Sequence, residues 1–326
     1  MKEQIGGSAN GLISRREVMR GGALALAGGV IAHGAWAARP GTPGPPTRLP
    51  PGLQLYSVHE QMQADFEGTL RQVGALGYRE VEAAGFYGHT PTQVKAAMRA
   101  AGLRCVSAHY AATDMDAPLN GVPGANLGAI LEFNREIGVE NIVCSFPLFR
   151  NPARAEGLSY NDQVKAFNPD DLLYSAERFN QWGQQVQAAG MRFSYHNHTM
   201  EFTPGRGGDT AFDTMVRLTD PALVNFELDC GWALVGGGDP VALLRRYPTR
   251  ITMLHVKDFH KIDRPYTLTD SPPSAELGQG IVDLPAILGA ARQSAVRHCF
   301  VEQEDFDEPP FQALAADLAF MRSLRG

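Results

Sequence analysis

Beyond residue 51 the chain alternates short runs of β-branched and aromatic residues with longer stretches whose apolar side chains recur every three or four positions. The first pattern predicts strands and the second amphipathic helices. Strands are expected at 53–57, 78–83, 103–109, 141–145, 191–196, 224–229, 251–256 and 298–302. Several helical stretches run into a glycine just ahead of the next strand, as in Ala75-Leu76-Gly77, Ala100-Ala101-Gly102 and Ala188-Ala189-Gly190. Glycine takes the left-handed helix-ending conformation at little cost. Strands alternating with helices imply a parallel sheet, and a count near eight favours an α/β fold closed as a (β/α)8 TIM barrel. Phe179, Trp182 and Val186 have helical spacing and should pack one helix against that barrel.

The first 51 residues follow neither pattern. Ser14-Arg15-Arg16-Glu17-Val18-Met19-Arg20 precedes a Gly/Ala-rich apolar run, and Ala35-Trp36-Ala37 offers a small-x-small cleavage site. This segment resembles a twin-arginine signal, which implies the export machinery as a partner and a periplasmic destination. We divide the chain into a signal peptide at 1–37, a Pro-rich linker at 38–51 and a single barrel domain at 52–326.

Composition narrows the function. Of 326 residues, 44% are hydrophobic and 20% charged, enough for a substantial core. A net charge of −6 gives no basic surface for a phosphate backbone, so nucleic acid is set aside as a partner. Self-association into a homo-oligomer is left open. Cys105, Cys144, Cys230 and Cys299 lie in or beside strand-like runs without C-x-x-C spacing and are expected to be buried thiols rather than disulfides.

Phosphate cradles are poorly represented. No G-x-G-x-x-G follows the first strand, and Gly236-Gly237-Gly238 reads as a turn ahead of a helix starting at Asp239-Pro240. Arg206 with Gly207-Gly208 is a modest candidate anion loop. Two connections, 146–169 and 259–280, are too long for simple turns and would reach over the barrel's C-terminal face.

That face collects polar residues from distant strands: Gln54 and Tyr56, Glu82, His109, His196, His198 and Glu201, Asp229, His255 and Lys257, and Glu302. Carboxylates aimed into a barrel axis require a partner or a cation. Mixed carboxylate and imidazole donors suit Mn, Mg, Zn or Fe as a divalent ion. By strand position the ligands are Asp229, His255 and Glu302, completed by Glu201 or His196.

The strings GLQLYSV, YREVEAAG, FSYHNHTMEF, FELDCGW, LHVKD, LGQGIVD and FVEQED resemble the sugar phosphate isomerase/epimerase family with the xylose isomerase-like TIM barrel. The resemblance runs from about residue 52 to the C-terminus. It implies a divalent metal held by Glu, Asp, His and Glu, a sugar or keto-sugar substrate, and an enediolate formed by removal of a carbon-bound proton. Isomerisation or epimerisation returns that proton, whereas a lyase or dehydratase acting on a 3-keto-glycoside or cyclitol expels a leaving group. A non-catalytic carbohydrate-binding barrel is the third reading.

Under the resemblance Glu302, Glu201, Lys257 and His109 are the candidates for proton transfer, and Gln54, Tyr56, Glu82, His196, His198, Trp232 and Gln279 for substrate contact. Two departures stand out. Relatives carry Glu-Asn-His where this chain has His196-Asn197-His198, and histidine where it has Trp232. Glu304, Asp305, Asp307 and Glu308 read as a solvated acidic turn, and Lys257 with Asp258 as groups that pair with each other or with neighbouring charges.

Overall fold

The computed structural model describes residues 49–117, 126–202, 208–263 and 272–324. The whole of 1–37, most of 38–51 and Arg206 with Gly207 lie outside the described residues. Eight parallel strands close into a barrel: β1 (Pro51–Gln54), β2 (Glu80–Ala83), β3 (Arg104–Tyr110), β4 (Asn141–Cys144), β5 (Arg192–His196), β6 (Val224–Asp229), β7 (Ile251–Val256) and β10 (His298–Val301). Between β7 and β10 a short antiparallel ribbon is formed by β8 (Asp258–Phe259) and β9 (Ser274–Ala275). β10 pairs with both β7 and β1, and that pairing completes the closure.

Helices such as Phe66–Leu76, Pro91–Ala101 and Pro169–Ala188 return the chain from the end of one strand to the start of the next. Their ends follow the expected chemistry. Thr90 and Asn168 close capping boxes, and Gly77 and Gly102 end their helices with φ of 109° and 68°. Asp239 caps the helix Pro240–Arg246 as the Asp-Pro pair indicated. Phe179, Trp182 and Val186 are buried, packed through Phe193 and Tyr195 onto β5. All four cysteines are buried and none forms a disulfide. Among the described residues no helix is long and apolar enough to cross a membrane.

Two expectations shift. The first strand begins at Pro51, inside the stretch assigned to the linker, and Leu49 ahead of it is already buried. It also ends early, because the Gln54 side chain accepts from the Tyr56 amide and turns Leu55–Val58 into a 3-10 helix. Nor are the long connections bare loops. The first carries Pro152–Arg154 and the helix Tyr160–Ala166, and the second carries the β8–β9 ribbon.

The barrel interior is layered. Val106, Val143, Met253 and Phe300 form a buried apolar cluster of their own, separate from the larger core between strands and helices. Gly52 on β1 makes room for it, since a Cβ there would lie 2.6 Å from Phe300 Cδ1. On β7 and β10 the next inward positions, two residues further on, are His255 and Glu302. The polar site therefore sits directly on an apolar floor.

Candidate active site

Strand alternation places the chemistry. Inward and outward positions alternate with period two, so Glu227 and Asp229 share the inner face of β6 while Phe226 and Leu228 face the helices. The register shifts between Val81 and Glu82 and between Phe226 and Glu227, which puts a bulge next to each of these two glutamates. Bulges re-aim side chains.

The donors form two groups that share one ring. In the deeper group, Glu227 Oε2 lies 2.7 Å from His109 Nε2, 3.2 Å from His196 Nδ1 and 3.3 Å from His255 Nε2. Glu82 Oε1 lies 2.9 Å from His109 Nε2 and 2.6 Å from His255 Nε2, and accepts from Gln54 Nε2 at 2.8 Å. In the outer group, His255 Nδ1 is 3.0 Å from Glu302 Oε2 and 3.9 Å from Asp229 Oδ2. Lys257, fully buried, reaches Glu302 Oε2 at 2.9 Å and Asp229 Oδ2 at 3.7 Å, and also donates to Glu304. Its ammonium stands 4.5 Å from the centre of the Trp232 ring.

This crowding sets the protonation states. Burial pushes the Glu227 carboxyl up, as does the Glu82 charge, yet the facing His255 and His109 hold it down at about 2. Glu82 is likewise held far below the carboxylate range, with burial outweighed by His109 and His255. Burial lowers His109, but Glu82 and Glu227 raise it to about 9. His196 is driven well below its usual value by burial and by the charge on His255, and His198 falls to about 3 by burial and the nearby Lys257. Asp229 rises to about 6, chiefly through burial.

Most sequence-derived candidates converge here. Gln54, Tyr56, His109, His196, His198, Trp232 and Glu302 line one open cavity of about 780 Å³ at the C-terminal mouth, with Glu82, Asp229, His255 and Lys257 immediately beneath. Two candidates are placed elsewhere. Glu201 is buried with its oxygens taken by the Tyr195 hydroxyl and the His198 amide, outside both donor groups, and burial raises it to about 7. Gln279 is exposed on a turn that does not line the cavity. That turn is built by Asp258, whose carboxylate accepts from the amides of Gly278, Gly280 and Val282, so LGQGIVD is a folding motif here.

Asp258 thus does not pair with Lys257. Glu304, expected on a solvated turn, instead joins the site through Lys257. Glu227 is the member the pattern reading passed over, although its place two residues before Asp229 on one strand marks it as inward.

Residues 70–324 match the xylose isomerase-like TIM barrel family, and the chain belongs to it. An inosose dehydratase from Geobacillus kaustophilus is 27% identical over 213 residues, 64% of either chain. The chain spans less than two thirds of the length of such curated relatives. A solved sugar phosphate isomerase/epimerase from Parabacteroides distasonis superposes with a TM-score of 0.64 at 24% identity, covering 83% of this chain and 96% of that one. A 3-keto-D-glucoside 4-epimerase from E. coli gives 0.60 at 17%, covering 85% and 100%. Likeness at these identities shows the fold.

Proposed function

We propose that this barrel is a metal-dependent isomerase or epimerase that removes a carbon-bound proton beside the carbonyl of an uncharged sugar or keto-sugar and returns it. The observation that carries the substrate class is the cavity lining. Among the described residues it contains Asp114, Glu302 and Glu304 and neither lysine nor arginine, which repels a phosphate and suits hydroxyls. Tyr56, Tyr110 and Trp232 supply flat apolar walls for a sugar ring.

The donor set fits a divalent ion. Among the described residues Glu82 Oε2, Glu227 Oε1 and Asp229 Oδ2 are buried without a hydrogen-bond partner, and the carboxylates gathered at the ends of three strands, β2, β6 and β10, have Lys257 as the one permanent cation of the site. The residues that would hold the ion come from the two groups sharing His255. Such an ion supplies Lewis acidity at the carbonyl oxygen.

The remaining work falls to the chain. Glu302 reaches the cavity with its carboxylate kept ionised, burial being outweighed by Lys257 and His255, so it can accept a proton from carbon. Lys257 Nζ, held charged beneath the cavity, keeps Glu302 on its wall ionised and pairs with Glu304 beside it. His198, kept neutral beside the cavity by burial and Lys257, can accept a hydrogen bond from a substrate hydroxyl.

Elimination is the second reading, favoured by the 27% identity to an inosose dehydratase. It uses the same first proton removal. The test incubates metal-loaded protein in deuterium oxide with uncharged keto-sugars, cyclitols and 3-keto-glycosides and follows mass. Deuterium gain with retained composition supports isomerisation or epimerisation, and loss of water or aglycone supports the lyase. Binding without exchange or loss across the panel would mean a carbohydrate-binding barrel and overturn both.

We also propose export of the folded chain through the twin-arginine route, on the strength of residues 14–37. Replacing Arg15 and Arg16 with lysine is expected to hold the protein in the cytoplasm, as read by cell fractionation.

A further inference from the structure

The two donor groups do not compete equally for a cation. Around Glu227 Oε2 stand three imidazole nitrogens within 3.3 Å, His109 Nε2, His196 Nδ1 and His255 Nε2, while Glu227 Oε1 has no hydrogen-bond partner among the described residues. A carboxylate oxygen has about two lone-pair sites, and the third nitrogen, His255 Nε2, gives its hydrogen bond to Glu82 Oε1 at 2.6 Å, so this crowding on one oxygen with no partner on the other is a poor hydrogen-bond network. It is a good coordination shell. Ligands about 2.0–2.2 Å from a transition-metal ion stand roughly 3–3.4 Å from their neighbours. The separations of 3.2 and 3.3 Å from Glu227 Oε2 to His196 Nδ1 and His255 Nε2 lie in that range, and the 2.6–2.9 Å separations of His109 and His255 from Glu227 and Glu82 are a few tenths of an ångström shorter.

The outer group already holds a cation, although Asp229 Oδ2 makes no hydrogen bond among the described residues. Lys257 Nζ, 2.9 Å from Glu302 and 3.7 Å from Asp229, neutralises the carboxylates that a cation there would have to bind, and the other oxygen of Asp229 accepts from the Trp232 amide at 2.7 Å. His255 connects the groups in a familiar sense. With Nε2 in the deeper group and Nδ1 3.0 Å from Glu302 Oε2, it has the carboxylate–imidazole pairing that orients metal-bound histidines. Gln54 holds Glu82 in the same manner.

Resting on the reading that the chain binds a divalent ion, we infer that the ion sits in the deeper group, on His109, His196, His255 and Glu227 with Glu82 alongside, and that Asp229, Glu302 and Lys257 form a separate proton-handling group above it. The nitrogen-rich shell selects Zn²⁺ or Fe²⁺ over Mg²⁺. Glu302 is then both a group on the cavity and, through His255, a positioning residue for the ion.

The test uses the full chain, freed of metal by dialysis and reloaded with zinc alone or magnesium alone. X-ray absorption at the zinc edge of the unsubstituted protein counts imidazole ligands without risk to folding, and three are expected; the outer group would give one, or two if His196 completes it. Calorimetric titration with zinc is expected to weaken at least 100-fold in His109→Ala and Glu227→Ala, 10- to 100-fold in Glu302→Gln, and less than tenfold in Asp229→Asn. Magnesium is expected to bind far more weakly than zinc. One or two imidazoles, or the largest loss in Asp229→Asn, would overturn the placement while leaving the chain metal-dependent. Failure of the unsubstituted protein to take up zinc, iron, manganese or magnesium would sink the metal-dependent reading itself.

Discussion

Lys257 carries its positive charge into a fully buried position where Glu302, Glu304 and Asp229 surround it. Lys257→Met keeps an unbranched stem against Trp232 but leaves buried carboxylates facing one another. Breaking such a pair on one side costs about 3–5 kcal/mol, and urea unfolding should register a loss of that order. Glu302→Gln should leave the fold intact and lower kcat by about 10²- to 10⁴-fold on the substrate found by deuterium exchange, the usual range for a lost general base. At this scale the sequence was partly readable. Asp229, His255 and Glu302 stand at strand ends, where barrel geometry makes convergence the default, and they do converge. Glu227 is hard to single out because Asp229, two positions further along β6, is the polar residue at the strand's end. Glu201 was included on proximity in sequence, whereas a buried tyrosine hydroxyl holds its carboxylate away from the axis.

At the level of elements, Asp258 deserves a direct comparison with the strands around it. Its carboxylate satisfies the amides of Gly278, Gly280 and Val282, and a Cβ on Gly280 would lie 2.2 Å from Asp258 Oδ1. Asp258→Ala strips the acceptor from those amides, at roughly 1–3 kcal/mol for each buried group left unpaired. Hydrogen exchange should accelerate in 276–282 before it does in β7. Strand bounds were legible where the flanks were clear: β6 and β7 run over 224–229 and 251–256 as the residue pattern indicated. β1 starts earlier than the residue pattern indicates because proline and glycine at 50–52 disguise a strand in which Gly52 leaves room for Phe300. Gly52→Ala tests that account, with overpacking expected to cost about 1–3 kcal/mol by thermal or urea unfolding.

For the molecule as a whole, the junction between the last helix and the second long connection offers a pH signature remote from the site. Asp317, in the helix Pro310–Ser323, accepts from the Leu277 amide, and burial raises it to about 7. A carboxyl whose folded value is raised contributes stability that is complete below its unfolded value near 4 and is lost as pH climbs through about 7. Asp317→Asn keeps the acceptor and removes the titration. The variant should therefore gain Tm over the parent at pH 8 by a few degrees, on the scale of about 2–4 °C per kcal/mol for chains of this size, with the gain shrinking toward pH 5. Equal effects at both values would refute the account.

The apolar plug made by Val106, Val143, Met253 and Phe300 lies beneath the donors, and the cavity of about 780 Å³ opens above them. An ion on the proposed donors would exchange through the mouth that the proposed sugar fills, and an occupied mouth would then act as a stopper. Stripping of zinc by EDTA should accordingly slow in proportion to sugar occupancy, a dependence that stopped-flow mixing can follow.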